Sequence, residues 1–382
     1  MGRECDVIVV TKNDGSSPTL RRNIWSIRKL DAHIQLLCWD RLKRDAVDLN
    51  RDLPVETIVM MRGFGLATKL LPLAMVAWSL RVAARLLTTK WRLAFCHDFE
   101  AACVVWICAR ILRRRYIYHI HDNFTLSHNF SPAMRRMFDA MDARFIRDAF
   151  AVIVPDNSRI LRYAEPCRDK ILILPNTFPL HTKIPAEGSR SAGAFTVLAL
   201  GSLTQDRGID VLLDAAGQVP EVRILVAGYV RDPALLQRIE STGGVDYRGL
   251  LDREGALRLY LESDIVFMFY RPDIEINIRA APMKLGESLM MGRPVLINSE
   301  VVASTHVCGD WAVGVTCAFE AGALARELRR LAGSRDELAA MARRARAVFE
   351  SEYAWDHSEP ALLDAVSRGL GASRSKEAVL PR

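Results

Sequence analysis

Short apolar runs of strand length recur along this chain, each ending in polar residues and followed by a stretch with helical spacing. Asp6–Thr11 (DVIVVT), Ile34–Trp39, Arg92–Cys96, Tyr116–Ile120, Ala151–Val154 and Lys170–Leu174 make a first series, with helical spacing over Thr19–Leu30 and Ala101–Leu112. The runs are apolar on both faces, as parallel strands covered on both sides must be. Strands alternating with helices predict a doubly wound α/β sheet, whose ligands bind outside the carboxyl ends of the strands. A second series holds Thr196–Leu200, Val222–Ala227, Val245–Tyr247, Ile265–Phe269 and Val295–Ile297, with helices over Ile209–Gly217, Pro233–Thr242 and Arg253–Glu262. Between the two, Pro179–Ala194 is rich in turn formers and reads as a linker. The expected organisation is a first Rossmann-like domain over 1–178, a linker over 179–194 and a second Rossmann-like domain over 195–350. A C-terminal helix over 351–370 is expected to pack back on the first domain, ahead of a disordered tail over 371–382.

A length of 382 residues exceeds one ordinary core and agrees with two domains. The eight cysteines lie mostly in apolar runs, form no C-x-x-C pair and follow no recognisable secretory signal. That pattern predicts buried thiols in a reducing cytoplasm, not a disulfide frame or a zinc site. The net charge of +7 is modest, but no acidic residue falls between Glu56 and Asp98, where Arg62, Lys69, Arg81, Arg85, Lys90 and Arg92 lie. The apolar run Leu70–Leu80 among them contains Trp78 and is shorter than the about 20 residues that span a bilayer. Two readings of 62–92 stand open: a helix lying on an anionic membrane, and a core helix with a basic solvent face. Nucleic acid is not expected as a partner, because the basic residues are not interleaved with aromatics and no binding motif is present.

Ala281–Asn298 (APMKLGESLMMGRPVLIN) reads as loop, short helix, tight turn and buried strand. Pro282 suits the first helical position, Lys284 and Glu287 share one helix face, and Gly292 closes the helix. A cation and a carboxylate near a helix N-terminus suit a ligand with phosphates and a diol; a surface ion pair is the alternative. The segment resembles the "P-x-K-x-x-E-x-x-x-x-G-x-P-V" stretch of the retaining glycosyltransferases of family 4. The resemblance implies the GT-B fold, two Rossmann-like parallel-sheet domains facing a central cleft. In that family the glutamate at the position of Glu287 holds the ribose hydroxyls of a nucleotide-sugar.

Further segments of the second domain carry the same resemblance in order. Gly201-Ser202-Leu203-Thr204-Gln205-Asp206-Arg207-Gly208 resembles "G-R-L-x-x-x-K-G", whose two cations hold the diphosphate. Arg207 takes the lysine position and Ser202 replaces the arginine, so one cation is lost and Lys284 is expected to supply part of it. Read from the residues alone, Arg207 is either part of a phosphate cradle or a solvated residue of a strand–helix turn. Val222–Gly228 resembles the "v-x-L-x-i-x-G" strand, and Val245-Asp246-Tyr247-Arg248-Gly249 the "V-x-F-x-G" strand whose following loop contacts the base. Arg253–Asp264 matches "l-x-x-x-y-x-x-a-D". One departure is clear: the common pattern has a second glutamate eight positions before Glu287, and Arg279 stands there. Arg279 either faces the diphosphate or an acidic donor sugar, or is a solvated loop residue.

The first domain matches more loosely. Cys96-His97-Asp98-Phe99 looks like the "H-x-H-D" strand end where a histidine faces the transferred sugar, and Tyr118–Asp122 like "Y-x-x-H-D/E". His97 and His121 both follow strand carboxyl ends, where ligands bind; a histidine beside an aspartate can also simply cap a helix. Asn13, Asp14 and Gly15, after the first strand, are the remaining acceptor-side candidates, although the family's glycine pairs are absent.

The resemblance implies a retaining transferase that takes a UDP- or GDP-linked sugar and needs no cofactor and no metal. Arg207 and Lys284, with His97 and Asp98, are then the expected catalytic groups. Gly201, Ser202, Gly249, Arg279 and Glu287 complete the donor-binding set. A glycan or lipid-linked acceptor at the inner face of the cell membrane, in cell-surface polysaccharide or glycolipid synthesis, fits the basic apolar segment. The rivals are a nucleotide-sugar 2-epimerase, a nucleotide-sugar-binding subunit without catalysis, and a membrane-surface scaffold.

Overall fold

The computed structural model describes residues 5–64, 70–185 and 194–371, so Lys69, half of the expected linker and nearly all of the expected tail lie outside the described residues. The chain divides into two units, Met1–Pro175 with Ser358–Arg382, and Asn176–His357.

The first unit is built on β1 (Cys5–Val10), β2 (Ile34–Asp40), β3 (Glu56–Arg62), β4 (Trp91–His97), β5 (Arg115–His119), β6 (Ala151–Val154) and β7 (Ile171–Ile173). They form a parallel sheet in the order β3-β2-β1-β4-β5-β6-β7. The order reverses between β1 and β4, which opens a crevice at their carboxyl ends. Sequence pattern missed β3, an edge strand that is mostly half-exposed and bounded by Glu56 and Arg62.

The helix Leu71–Thr88 bears on both readings of 62–92: one face is core, and the face left to solvent is largely apolar instead of basic. It runs 18 residues and by length and composition alone is apolar enough to cross a membrane. Every fourth residue of one face, Ala74, Trp78, Val82 and Leu86, is buried in the core of the first unit. Trp78 stacks on Trp39 at 6.1 Å and is a core residue, not a membrane anchor. The opposite face leaves Leu73, Val76, Leu80 and Leu87 exposed. Two cations of the acid-free stretch find acids outside it: Arg62 pairs with Asp45 at 3.2 Å and Arg92 with Asp6 at 3.0 Å.

The last helix, Trp355–Gly369, gives its residues from Ser358 onward to the first unit. Glu359 accepts from Ser26 Oγ and Lys29 Nζ, both at 2.7 Å, and Gly369 lies so close to Leu93 that a Cβ there would come within 2.9 Å of it.

The second unit repeats the design with β8 (Thr196–Leu203), β9 (Arg223–Val230), β10 (Val245–Tyr247), β11 (Ile265–Met268), β12 (Val295–Asn298) and β13 (Gly314–Cys317). The parallel order is β10-β9-β8-β11-β12-β13, reversing between β8 and β11. Alternate strand residues enter two apolar layers, as the pleat requires. Val197, Ile224, Val226 and Phe267 face one, and Leu198, Leu225, Val266 and Met268 the other.

Sequence reading ended the first strand of this series at Leu200, but β8 continues through Gly201 and Ser202 to Leu203. Gly201 (φ 104°) pairs with Gly228 (φ 140°) on β9, and a Cβ on Gly228 would lie 1.8 Å from the Gly201 carbonyl oxygen. Only glycine permits that approach, and it carries the ladder further than the apolar pattern.

Candidate functional site

The second unit's rim gathers the carboxyl ends of β8 and β11 and the N-terminal end of the helix Met283–Met290 that leads into β12. Pro282 sits at the cap of that helix with extended backbone (ψ 140°), one position earlier than expected. Leu285, Leu289 and Met290 anchor the helix in the core. Gly286 lies between the two candidate charges against the chain at Asn176–Thr177, where a Cβ would come within 2.6 Å of the Asn176 carbonyl oxygen. Asn176 also donates from Nδ2 to the Ala281 carbonyl at 2.8 Å, which fixes the approach to the helix.

Glu287 is not the partner in a surface ion pair. Its Oε2 accepts from the Tyr260 hydroxyl at 2.8 Å. Burial raises its pKa above the ordinary carboxylate value, while Tyr260, Arg253 and Lys284 pull it back. Lys284 is pushed down to about 8, first by burial and then by the charge of Arg207, against the opposing pull of Glu287. The two cations therefore share a space in which a further positive charge is unfavourable and an anion is favoured.

Arg207 belongs to a tight turn over Gln205–Arg207 that ends at Gly208 (φ 67°), where the helix Ile209–Ala216 begins. A Cβ on Gly208 would approach Phe269 to 2.7 Å, so this turn lies directly on the end of β11. The Arg207 guanidinium lies over the Tyr270 ring at 4.6 Å. Tyr270 is held in turn by Asn298, whose Oδ1 accepts from its N–H at 2.8 Å and whose Nδ2 donates to its carbonyl at 3.0 Å. Gly201 and Ser202 are exposed at the end of β8. Gly249 (φ 68°) sits just past β10, with its carbonyl accepting from Gly228 N–H at 2.8 Å. Arg279 ends the short helix Glu275–Ile278 and is half-buried.

In the first unit, His97 is the last residue of β4 and Asp98 the first of the helix Asp98–Leu112. Asp98 has φ 65°, the left-handed region that a residue with a Cβ enters at a cost of about 1–3 kcal/mol. Its Oδ1 accepts from the His121 backbone N–H at 3.1 Å and lies 3.2 Å from His121 Nδ1. Burial opposes ionisation of Asp98, but the His121 charge and hydrogen bond, with Lys12 nearby, hold its pKa well below the carboxylate range. His97 is buried, and burial lowers its pKa well below the usual imidazole value.

The loop after β1 has a structural use for one candidate. Asp14 is buried, accepts from Ser16 Oγ at 2.6 Å and is ion-paired with Arg44. Burial would raise its pKa, but these partners together lower it. Gly15 (φ 85°) packs against Asn50 and Leu36, which leaves Asn13 as the exposed member of the three.

Four residues of these sites escaped the sequence reading. Tyr260 stands at the "y" of the matched helix pattern, so the signal was present without its meaning. Tyr270 and Arg253 had no signal, since only the fold brings them to Arg207 and Glu287. His119 was legible in principle: it ends β5, two residues before His121.

Residues 4–176 match the family described as "Glycosyl transferase 4-like domain", and residues 194–334 match "Glycosyl transferases group 1". Solved structures share the fold. Sucrose-phosphate synthase from Thermosynechococcus elongatus is 16% identical, with a TM-score of 0.77 over 97% of this chain and 100% of that one. Anabaena HepE in complex with UDP and glucose is 17% identical, with a TM-score of 0.72 over 95% and 100%. A putative UDP-N-acetylglucosamine 2-epimerase from Listeria monocytogenes is 11% identical, with a TM-score of 0.66 over 99% and 100%. No curated protein matches the chain in sequence. The fold is that of the GT-B proteins. The chain belongs to the GT-B glycosyltransferases, a glycosyl transferase 4-like domain followed by a group 1 domain.

Replacing Tyr260 with Phe removes the donor to Glu287 and is expected to lower the stability of the second unit by about 1–3 kcal/mol at neutral pH. Folded Glu287 binds its proton more tightly than the unfolded residue does, so its contribution is full at low pH and is lost as pH rises through its folded pKa. Tyr260→Phe raises that pKa further and steepens the loss. Urea midpoints read at about pH 4.5 and about pH 7.5 should show a deficit that narrows on the acid side; an equal deficit at both would contradict the account.

Proposed function

We propose that the protein is a retaining hexosyltransferase that takes its sugar from a nucleotide-sugar and needs no metal for the transfer. The observation that carries this is the second unit's rim: a half-buried carboxylate, Glu287, held by the Tyr260 hydroxyl one helical turn from Lys284, which shares its surroundings with Arg207. Glu287 would accept hydrogen bonds from the ribose diol. Lys284 and Arg207 would hold the diphosphate and stabilise the charge that develops on it as the glycosidic bond breaks. The backbone beyond Gly201, Ser202 and Gly249 is open to the nucleotide, and Arg279 would meet the diphosphate or an acidic sugar. The matching structure that holds UDP and glucose supports a uridine nucleotide as the first donor to try, with GDP-linked sugars next.

In the proposed step the acceptor oxygen attacks the anomeric carbon on the face from which the diphosphate leaves. The new C–O bond forms as the old one breaks, and the acceptor proton passes to the leaving diphosphate oxygen. This route keeps the anomeric configuration without a pair of carboxylates flanking the sugar. On the first unit, His97, stacked on His121 at 5.1 Å, is assigned to the transferred sugar, and Asn13 with the loop at Asp14 and Gly15 to the acceptor.

The acceptor is proposed to be a glycan or lipid-linked glycan at the cytoplasmic face of the membrane, in cell-surface polysaccharide or glycolipid synthesis. Leu73, Val76, Leu80 and Leu87 support this as an exposed apolar stripe with Arg81 beside it. Exposed apolar helical residues flanked by cations suit an anionic lipid surface.

Incubation with UDP- and GDP-linked hexoses should release the nucleoside diphosphate from one of them, with the product keeping the donor's anomeric configuration by NMR. Lys284→Met should slow release by at least about 100-fold. Inversion would contradict the retaining route. Epimerisation at C2 would favour the epimerase reading, and nucleotide binding without release the reading as a subunit without catalysis. Leu73→Glu with Leu80→Glu should weaken co-sedimentation with phosphatidylglycerol vesicles by at least about tenfold; unchanged sedimentation would remove the membrane reading.

A further inference from the structure

Parallel pairing of β4 with β5 sets His97 opposite His119, and His121 follows two residues later, just past the end of β5. Three imidazoles converge there. Ring centroids lie 4.9 Å apart for His97 and His119, 5.1 Å for His97 and His121, and 4.1 Å for His119 and His121. One ring nitrogen from each lies within 4.8 Å of the other two. His97 and His119 are buried, while His121 is partly exposed and gives the cluster an entrance. Both ring nitrogens of His97, Nε2 of His119 and Nε2 of His121 are buried without a hydrogen-bond partner. Each such nitrogen costs about 1–3 kcal/mol if left unsatisfied, so an arrangement with four of them points to a ligand.

We propose that His97, His119 and His121 bind a divalent transition cation of the zinc or cobalt type, with a fourth position open toward His121's exposed side. Imidazole nitrogens suit such ions, whereas magnesium and calcium require oxygen ligands. A tetrahedral site with Zn–N of about 2.0–2.1 Å needs nitrogens about 3.4 Å apart, so the rings must close by roughly an ångström. The His97 ring makes no hydrogen bond that would resist turning. The contact behind His121 also fits. Asp98 Oδ1, 3.2 Å from His121 Nδ1, would accept its N–H and leave Nε2 for the cation, as carboxylates behind metal-bound histidines do. Asn23 Nδ2 faces His119 Nδ1 at 3.3 Å while its Oδ1 accepts from Arg22 Nη2 at 3.3 Å, so the amide must turn and give up Arg22 before His119 can donate from Nδ1 and offer Nε2 to the cation.

A cation held here occupies His97, the residue assigned above to the transferred sugar. The site is therefore a candidate brake on transfer, not a part of it. That consequence rests on the proposed function; the binding itself does not.

The full chain, stripped with chelator and titrated with Co²⁺, should take up one equivalent and show the visible absorption of four-coordinate cobalt. His119→Gln and His121→Gln should abolish that absorption while keeping the wild-type circular dichroism. Absence of the band in the wild type, or its persistence in both folded variants, would overturn the proposal. Should the variants fail to fold, diethyl pyrocarbonate labelling of wild-type His121 read by mass spectrometry decides: one equivalent of Zn²⁺ should suppress it, and unchanged labelling would overturn the site. Because no sugar is involved, failure of the metal site and failure of the transferase reading are separate results.

Discussion

The partial withdrawal of Glu287 and Lys284 from water is the condition on which the second unit's rim depends. Two ionisable groups on one helix face would ordinarily be solvated, with little effect on each other. Here burial raises the acid and lowers the amine, so each would lose its charge more readily than in water. What keeps the arrangement charged is its neighbours: the Tyr260 hydroxyl on the carboxylate, and Arg253 and Lys284 pulling the acid back toward ionisation. The place is set sterically by Gly286, because any side chain there would drive the helix away from Asn176 and Thr177. Packing thus fixes the position of the charges, and the charges fix what chemistry the rim prefers.

The two units solve the same problem in different ways. Each reverses its strand order next to its central strand, and each collects its candidate residues where that reversal leaves room. The second unit uses cations and one carboxylate, with Arg207 resting on Tyr270 and Tyr270 clamped by Asn298. The first unit uses three histidines, two set by strand register and His121 just beyond it, with Asp98 held in a strained conformation by its bonds to His121. Strain of that kind is tolerated where surrounding contacts over-determine it, and it sits at the junction where His97 must be aimed.

Much of this was legible in the sequence, and the reasons differ by residue. Buried parallel strands announce themselves as apolar runs, so β6 falls where its pattern puts it and β11 and β12 end within one residue of theirs. β3 did not, because an edge strand needs only one covered side. β8 outran its apolar pattern because backbone approach at Gly201 and Gly228, not side-chain burial, extends the ladder. Trp78 reads the same in a core or at a membrane, and only packing on Trp39 decides between them. Lys284 and Glu287 were visible as a spaced pair, but the Tyr260 and Arg207 contacts that make them a site come from distant segments. The histidine cluster was half visible, as His97 and His121, and needed the β4–β5 register to bring in His119.

The central claim is that the Glu287 carboxylate is the ribose anchor of a nucleotide site. Calorimetric titration of UDP and GDP into the wild type and into Glu287→Gln tests it most directly, since the substitution keeps shape and removes charge. The account predicts saturable binding of one nucleotide by the wild type, weakened at least about tenfold in the variant, the loss expected for a charged hydrogen bond. Equal affinity in the two proteins, or no binding of either nucleotide by the wild type, would contradict it.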